Sequence, residues 1–428
     1  MKTIVLKFGG SSLDVNGYNI IKNRLLNINN QKIIIVLSAI QKTTNNLIEL
    51  TNGNLNIFDI IKNEHKKLLK DLNLNENILE DDFNKILEFT KLKKNKIINN
   101  INIISYGEIL STIILFEYLK LFNINSDLIN AKEIIKCDIN FEEINLNNLK
   151  MKGKFSCSLT KLNCYKSNII ITQGFIASTK DNYSCLLTRG GSDTTASLIA
   201  SSIKAEYLEI WSDVNGLYTT DPKLVDNTKL IKNINYSLCQ EVAAMGAKIL
   251  HPYCIDPCKK YNIPIIIKNT KDPNNTNSTL INNNLNNKDV FIITKQSNIY
   301  LIEIKSLNMW NNYGILNDIF SKFTQFKIDV DIIVTSPFSI SCTINSIDNI
   351  NNLISSLYNY SVIFKNNIDI VSIVSNNIFN INVSNIINAY NSNIHIVHYS
   401  SNKYSLSYVI NNNKSKEFIN ALHNKLNS

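Results

Sequence analysis

The 428-residue chain contains few arginines, few glycines and few charged residues. Arg24 and Arg189 are the only arginines, 12 residues are glycine, and charged residues make up 18% of the chain. The net charge of +9 therefore comes from lysines, which are spread along the sequence. Because arginine is the usual reader of base edges, its scarcity disfavours nucleic-acid binding, whereas a basic surface suits small anionic substrates.

Cysteines at metal-binding spacing and long apolar runs are also absent. Of the eight cysteines only Cys254 and Cys258 lie near each other, and their spacing is not that of a zinc-binding pair, so we expect reduced thiols. The first apolar stretch, at positions 4–6, is too short for a secretion signal or a membrane span. We therefore expect a cytoplasmic protein with no membrane or nucleic-acid partner.

Short β-branched strands alternate with helical segments over the first two thirds of the chain. The pattern predicts strands at 3–8, 32–37, 126–130, 169–172, 207–211 and 264–268. It predicts helical segments at 19–26, from 44 onwards, within 54–100 and at 106–121. This alternation is typical of an α/β domain whose mainly parallel sheet is covered by helices on both faces. We place this domain at residues 1–285 and interpret the asparagine-rich segment 274–288 as a polar connector.

The rhythm changes after the connector. The first predicted unit has strands at 298–305, 328–335, 338–345 and 361–365, with helices at 314–326 and 347–358. The second has strands at 368–375, 394–399 and 404–410, with helices at 380–390 and 414–426. A strand at 290–294 would complete the second unit. The pattern predicts tandem ferredoxin-like repeats, at about 298–366 and 367–428, within a region covering 286–428.

Most of the scarce glycines lie in short clusters beside hydroxyl and charged residues. The cluster Lys7-Phe8-Gly9-Gly10-Ser11-Ser12 follows a strand, where glycine amides can approach an anion. It differs from a nucleotide P-loop because its lysine precedes the glycines. In Arg189-Gly190-Gly191-Ser192-Asp193 an arginine fork is suited to a carboxylate or phosphate. A plain strand-to-helix turn and a buried arginine–aspartate pair are the structural alternatives.

Three further residues are candidates for a functional or a structural role. Asp213, at a strand end, is suited to Mg²⁺ or a ribose, and Tyr218 is suited to packing on a base. His251 precedes Pro252, and we interpret it as a helix cap or core residue rather than as a catalytic base.

Taken together, these segments resemble the aspartate kinases, which have the amino-acid kinase fold. The matching stretches are 7–12, 38–45, 105–108, 171–176, 189–193, 211–223 and 246–252, in the family's order. The remaining part resembles paired ACT domains, most like the lysine-sensitive, monofunctional branch through 306–309, 329–335 and Ser336. Because the sequence ends at residue 428, we expect no homoserine dehydrogenase part.

The resemblance implies transfer of the ATP γ-phosphoryl group to the β-carboxylate of L-aspartate, with Mg²⁺ arriving on ATP. This reaction is the first step of lysine, threonine and methionine (diaminopimelate) biosynthesis. The implied catalytic residues are Lys7 and Asp193. The implied aspartate-binding residues are Ser38, Thr44, Glu108, Arg189 and Ser192. The implied ATP-binding residues are Lys7, Gly9, Gly10, Ser11, Ser212, Asp213, Tyr218, Lys223 and Lys248. The implied residues of a lysine effector site are Met309, Leu316 and Asp331.

Several positions depart from the family's pattern. Thr188 stands where glycine is usual, and Lys223 replaces an arginine, so that a point charge replaces a fork. Asn311, Asn312 and Pro337 differ near the effector pocket, which bears on lysine inhibition more than on catalysis. The alternatives are another amino-acid kinase of this fold and a weakly active or non-catalytic ACT-type amino-acid sensor. The resemblance further implies a homodimer, or a dimer of dimers, formed through the ACT domains.

Overall fold

The computed structural model describes residues 2–28, 30–139, 154–188, 190–247, 249–275, 277–283, 290–309 and 312–427. The chain forms two compact units. Unit 1 comprises Met1–Leu217, Leu230–Gln240 and Lys248–Asn286. Unit 2 comprises Tyr218–Lys229, Glu241–Ala247 and Asn287–Ser428. The domain boundaries that the sequence analysis gave, 1–285 and 286–428, stay a prediction.

Unit 1 is built on a large, mostly parallel sheet. The strands of this unit, which belong to the large sheet and to a second, smaller one, are β1 (Lys2–Phe8), β2 (Gln31–Leu37), β3 (Asp127–Ile129), β4 (Ile135–Cys137), β5 (Phe155–Cys157), β6 (Ile169–Gln173), β7 (Ile176–Ser178), β8 (Ser184–Leu186), β9 (Leu208–Ser212), β10 (Asn233–Asn235), β11 (Ile265–Asn269) and β12 (Thr279–Asn282). The eight-stranded sheet has the order β10-β12-β11-β9-β1-β2-β6-β3. Every described pairing in it is parallel except β11 with β12. The prediction of a mainly parallel α/β domain is confirmed.

The first ten helices follow in chain order. They are α1 (Val15–Leu26), α2 (Thr43–Thr51), α3 (Ile57–Asp71), α4 (Glu80–Lys91), α5 (Lys96–Lys120), α6 (Ala131–Ile134), α7 (Leu159–Asn163), α8 (Gly191–Ser202), α9 (Tyr236–Ala244) and α10 (Pro252–Lys260). By length and composition α5 would be able to cross a membrane, but 67% of its most apolar window is buried inside the fold. It also packs in the apolar core of unit 1, so α5 is a core helix.

One prediction for unit 1 was wrong in detail, and one part of its fold was not predicted. The segment 274–288, interpreted as a connector, contains strand β12, in which Ile281 is fully buried and pairs with Ile265. Surrounding asparagines hid this short strand because they dilute its apolar pattern. A second sheet, of order β5-β4-β7-β8, was not predicted. Its strands have three residues each, which is too short for a periodicity to be recognised.

Unit 2 contains a single six-stranded antiparallel sheet. Its strands are β13 (Ile292–Lys305), β14 (Ile333–Ser336), β15 (Ser339–Ile344), β16 (Ser361–Val374), β17 (Ile394–Tyr399) and β18 (Ser405–Asn411), in the order β14-β15-β13-β16-β18-β17. Its helices are α11 (Ile315–Gln325), α12 (Ile350–Ser356), α13 (Ser384–Tyr390) and α14 (Asn412–Asn427). The arrangement agrees with the predicted tandem ferredoxin-like fold of the ACT type.

The two long strands of this sheet differ from the prediction. Strands predicted separately at 361–365 and 368–375 form one strand, β16, and those at 290–294 and 298–305 form β13. Asn298 and Asn367 adopt left-handed backbone angles inside these strands, and the pairing of β13 with β16 shifts register between Gln296 and Leu301. Asparagine tolerates this conformation, so an irregularity within a strand resembled a break between two strands.

Candidate active site

The candidate active site lies where neighbouring parallel strands of unit 1 end. Strands β11, β9, β1, β2 and β6 are adjacent in the sheet, and all of them run parallel. Predicted site segments lie at the carboxyl ends of four of these strands: Gly9, Ser38 and Gly174 directly follow β1, β2 and β6, and Ser212 is the last residue of β9. Open α/β sheets bind ligands at this edge.

An ion pair occupies the centre of this edge. Lys7 Nζ, near the end of β1, lies 2.5 Å from Asp193 Oδ1, in the first turn of α8. Both side chains are largely buried, so water screens the pair only weakly. Cys254 of α10 is also buried here, and burial together with the Asp193 charge holds the pKa of its thiol well above the usual range. The two predicted catalytic residues are therefore brought together beside a neutral thiol.

The glycine loop after β1 is held by backbone hydrogen bonds. The Gly9 N–H donates to the Trp211 carbonyl at 3.1 Å, and the Gln41 N–H donates to the Gly10 carbonyl at 2.9 Å. A Cβ atom at Gly10 would overlap the Ala39 carbonyl oxygen, so the loop leaves no room for a side chain there. Gly9 lies close to the Lys7 ammonium, and Ser11 is exposed. The loop is thus fixed beside a cation.

Glu108 of α5 is a buried carboxyl group beside the end of β2. Its Oε1 accepts a hydrogen bond from the Ala39 N–H at 3.2 Å, and its Oε2 has no partner among the described residues. The side chain is 3% exposed, and burial raises the pKa of Glu108 to about 8. An unpaired buried carboxyl oxygen is costly, and an ammonium group would pair with it.

Ser38 and Thr44, two more of the predicted aspartate-binding residues, lie near Glu108. Ser111 of α5 donates a hydrogen bond to the Ser38 carbonyl at 2.8 Å, which ties the end of β2 to the helix. A Cβ atom at Gly107 would lie 2.8 Å from Ala39 Cβ and 3.7 Å from Thr44 Oγ1. Gly107 therefore allows α2, α5 and the chain after β2 to approach closely.

The turn after β6 packs on the start of α8. A Cβ atom at Gly174 would lie 2.5 Å from Ser192 Cβ, so only glycine fits there. The Phe175 N–H donates to Thr195 Oγ1 at 3.2 Å. These contacts position Ser192 and Asp193 at the amino end of a 12-residue helix, which favours anionic groups.

His251 has the capping role that the sequence predicted. It is the N-cap of α10, and its Nδ1 accepts a hydrogen bond from the Tyr253 N–H at 3.4 Å. Gly190 has a φ of 75°, and a Cβ atom there would overlap His251 Cβ. The histidine therefore also packs against the turn that precedes α8.

The remaining predicted nucleotide-binding residues fall into three groups. Ser212 and Asp213 end and follow β9 in unit 1. Tyr218 and Lys223 belong to unit 2, and their roles stay predictions. Lys248 lies outside the described residues, as does the predicted aspartate-binding residue Arg189.

The sequence analysis missed the roles of two residues at this edge. Ala39 supplies the amide that binds Glu108, and the Thr270 hydroxyl lies between Ser12 and Ser212. A backbone amide leaves no signal in residue identity. Thr270 directly follows β11, which was predicted at 264–268, and its position near a strand end was the available signal.

Comparisons with known proteins agree with this geometry. The model of the amino acid kinase family matches residues 2–269. Lysine-sensitive aspartokinase 3 of Escherichia coli is 30% identical over 357 residues, which are 80% of this chain and 78% of that protein. The chain belongs to the amino acid kinase family, in its aspartokinase branch.

Two crystal structures of Escherichia coli aspartokinase III have the same fold along their whole length. The complex with aspartate and ADP (R-state) has a TM-score of 0.84 at 25% identity, and the complex with lysine and aspartate (T-state) has 0.80 at 26%. Each covers 100% of both chains. A bifunctional aspartokinase/homoserine dehydrogenase of Buchnera aphidicola is 29% identical over 99% of this chain. The match spans 56% of the length of that relative.

The predicted effector residues of this aspartokinase-family chain lie in unit 2. Met309 packs against the apolar core between α11, α12 and the sheet, Leu316 is half exposed at the start of α11, and Asp331 is exposed. The Asp331 N–H donates to the Thr343 carbonyl at 2.9 Å. Their grouping as an effector site stays a prediction.

The described part of the chain contains no cluster of acidic side chains that could bind a metal ion. No group of three or more His, Cys, Asp or Glu side chains is placed there to hold one. The crowded glycine loop beside Lys7 fits a phosphate chain, which would carry its own Mg²⁺.

Proposed function

We propose that this chain catalyses phosphoryl transfer from ATP to L-aspartate. A β-carboxylate oxygen forms a bond to the γ-phosphorus, the bond from that phosphorus to the β,γ-bridging oxygen breaks, and ADP and 4-phospho-L-aspartate leave. The observation that carries the proposal is the buried pair of Lys7 and Asp193 beside the glycine loop, at the sheet edge that also holds Glu108. A carboxylate is already a nucleophile, so the site needs charge and position more than a base.

The glycine loop and Lys7 would act on the transferring phosphoryl group. Gly9, Gly10 and Ser11 supply amides and a hydroxyl, and the Lys7 ammonium neutralises charge that develops on the phosphoryl oxygens. Asp193 orients that ammonium through the 2.5 Å contact. Because both side chains are largely buried, the ammonium is held in place rather than sampling solvent.

Glu108 would receive the α-ammonium group of aspartate. Its Oε2 supports this role, because this buried oxygen has no partner among the described residues and a substrate ammonium would pair with it. We assign Arg189 to a substrate carboxylate, and Ser38, Thr44 and Ser192 to further hydrogen bonds. These assignments rest on the resemblance together with the positions of Ser38, Thr44 and Ser192 near the end of the sheet.

The nucleotide would bind through residues that follow β9 and through segments nearby in sequence. We assign Ser212, Asp213, Tyr218, Lys223 and Lys248 to this role. The structure of the Escherichia coli enzyme with aspartate and ADP supports a nucleotide substrate for this family, and Mg²⁺ would arrive bound to ATP and neutralise its phosphates.

We extend the proposal to regulation and assembly. Lysine binding in unit 2, at Met309, Leu316 and Asp331, would inhibit the kinase, as the lysine complex of the Escherichia coli enzyme suggests. Pairing of ACT-type sheets would form a homodimer or a dimer of dimers. We place the enzyme in the cytoplasm, at the first step of the diaminopimelate route.

A coupled hydroxamate assay tests the proposed function. The purified chain is incubated with ATP, Mg²⁺ and L-aspartate, and acyl phosphate is trapped with hydroxylamine. We expect hydroxamate formation with aspartate and none with glutamate, N-acetylglutamate or carbamate. Activity on one of the other acceptors, or binding of amino acids without turnover, would replace this proposal with one of the two alternatives.

A further inference from the structure

Thr270 occupies a buried position between two loops of the candidate site. It follows β11, and its Oγ1 lies 2.9 Å from Ser12 Oγ and 2.9 Å from the Ser212 carbonyl oxygen. The Thr270 N–H also donates to that carbonyl at 2.8 Å. Ser12 is 3% exposed and Thr270 is 8% exposed, so water competes little for these bonds.

The Thr270 hydroxyl is the donor in both contacts. The Ser212 carbonyl and the Ser12 hydroxyl oxygen both accept, so the single Thr270 hydroxyl hydrogen is shared between them. A valine at this position has the same shape but removes the hydroxyl, which leaves Ser12 without this partner.

The two loops that Thr270 joins have different tasks in the proposed reaction. Ser12 ends the glycine loop that would hold the transferring phosphoryl group, and Ser212 begins the loop that would hold the nucleotide. The residue before Thr270 supports the second loop as well, because Asn269 Nδ2 donates to Asn215 Oδ1 at 2.9 Å. The Leu217 N–H, at the far end of that loop, donates to Thr279 Oγ1 at 2.9 Å.

We propose that Thr270 is a positioning residue that fixes the glycine loop relative to the nucleotide loop through its hydroxyl group. This inference rests on the proposed function for its kinetic consequences. Loss of the link would let the two loops shift relative to each other, so ATP would bind more weakly and its γ-phosphoryl group would be misaligned. Aspartate binding would change little, because Ser38, Thr44 and Glu108 follow or face β2 and make none of these bonds.

Three variants of the full chain test the proposal. Thr270→Val removes the hydroxyl, and Thr270→Ser keeps it. Thr294→Val is the matched control, because Thr294 is buried in unit 2 and its hydroxyl has no hydrogen-bond partner among the described residues. ADP affinity is measured by calorimetry, kcat and both KM values by the hydroxamate assay, and Tm by calorimetric melting.

We expect Thr270→Val to weaken ADP binding and to lower kcat by about tenfold each, with the aspartate KM within about twofold of wild type. Thr270→Ser should recover most of both losses, and Thr294→Val should behave as wild type. A lower Tm with unchanged ADP affinity, or a serine variant as impaired as the valine variant, would overturn the proposal. A wild-type chain that binds ADP but does not phosphorylate aspartate would refute the proposed function, while the ADP measurements would still test Thr270.

Discussion

Glu108 binds the Ala39 amide through one carboxyl oxygen and leaves the other oxygen without a partner among the described residues. Burial raises the pKa of Glu108 to about 8, so the carboxyl group is mostly protonated at neutral pH. A substrate ammonium binds the ionised form, which means that aspartate binding displaces a proton below pH 8. Aspartate affinity should therefore rise with pH.

We predict that the aspartate KM falls by up to about tenfold per pH unit between pH 6.5 and 8 and is level above that range. The ATP KM serves as the internal control and should not follow this slope. Initial rates at saturating ATP across this pH range measure the effect. Glu108→Gln should raise the aspartate KM and remove the slope; a variant that keeps the slope would assign the titration to another group.

Lys7→Ala and Asp193→Ala should each lower kcat by at least about a hundredfold with little change in ADP affinity. The reason is that the Lys7 ammonium acts on charge that develops during transfer, and Asp193 holds that ammonium. Lys295→Ala is the matched control, since it removes a buried ion pair to Asp369 of 2.8 Å in unit 2. It should lower Tm and spare kcat. Near-normal turnover in either site variant would exclude that residue from the mechanism.

Gly10→Ala should disrupt the glycine loop, because the added Cβ atom would overlap the Ala39 carbonyl oxygen and backbone atoms would have to move. We expect kcat to fall by at least about tenfold, from a change in position rather than in charge. Gly53→Ala provides the comparison. A Cβ atom there meets nothing within 4 Å, but the φ of 99° makes any side chain strained. That variant should lose about 1 kcal/mol of stability and keep its kinetics. Equal kinetics in the two variants would argue against a crowded loop.

His65 of α3 should make the folded state sensitive to acid. The side chain is 1% exposed, and burial lowers the pKa of His65 to about 4, although the bond between its Nδ1 and the Ile61 carbonyl acts in the opposite direction. The neutral form is the one that folds, so its contribution is complete above about pH 6.5 and is lost as the pH falls towards 4.

Relative to His65→Leu, the wild-type chain should lose about 2 kcal/mol of unfolding free energy between pH 7 and pH 5. Urea titrations at the two pH values measure this difference. His398→Leu, on β17 of unit 2, should show the wild-type dependence. If His65→Leu also retains the full dependence, the acid sensitivity arises elsewhere.

Lysine should inhibit the kinase if the effector assignment holds. In the full chain we expect millimolar or tighter inhibition by lysine, and Asp331→Asn should raise the half-inhibitory concentration by at least about tenfold, because it removes the charge that would pair with the lysine ammonium. Asp318→Asn, in the first turn of α11, is the control and should leave inhibition unchanged. Wild-type turnover that is insensitive to several millimolar lysine would contradict the assignment.

The parts of the fold that could be predicted from sequence are those in which chemistry repeats over many residues. Strands β1 and β2 each contain an apolar run rich in β-branched residues, and the glycine clusters marked the ends of β1 and β6. The ion pair of Lys7 with Asp193 could be predicted only through the family resemblance, because the two residues are far apart in sequence. The Thr270 link could not be predicted, because it depends on the three-dimensional meeting of three strand ends.

The long strands β13 and β16 have a consequence for how unit 2 folds. Residues 292–296 of β13 pair with 370–374 of β16, whereas residues 301–305 pair with 361–365, so each strand runs through both ferredoxin-like repeats. Because the two repeats share both long strands, neither repeat can unfold its central strands without disrupting the other repeat. We therefore expect the two repeats to melt in one transition rather than in sequence. Because both strands are shared, a strain introduced at one end of β13 would act on the strand pairing of both repeats, so the two repeats would respond to a ligand together.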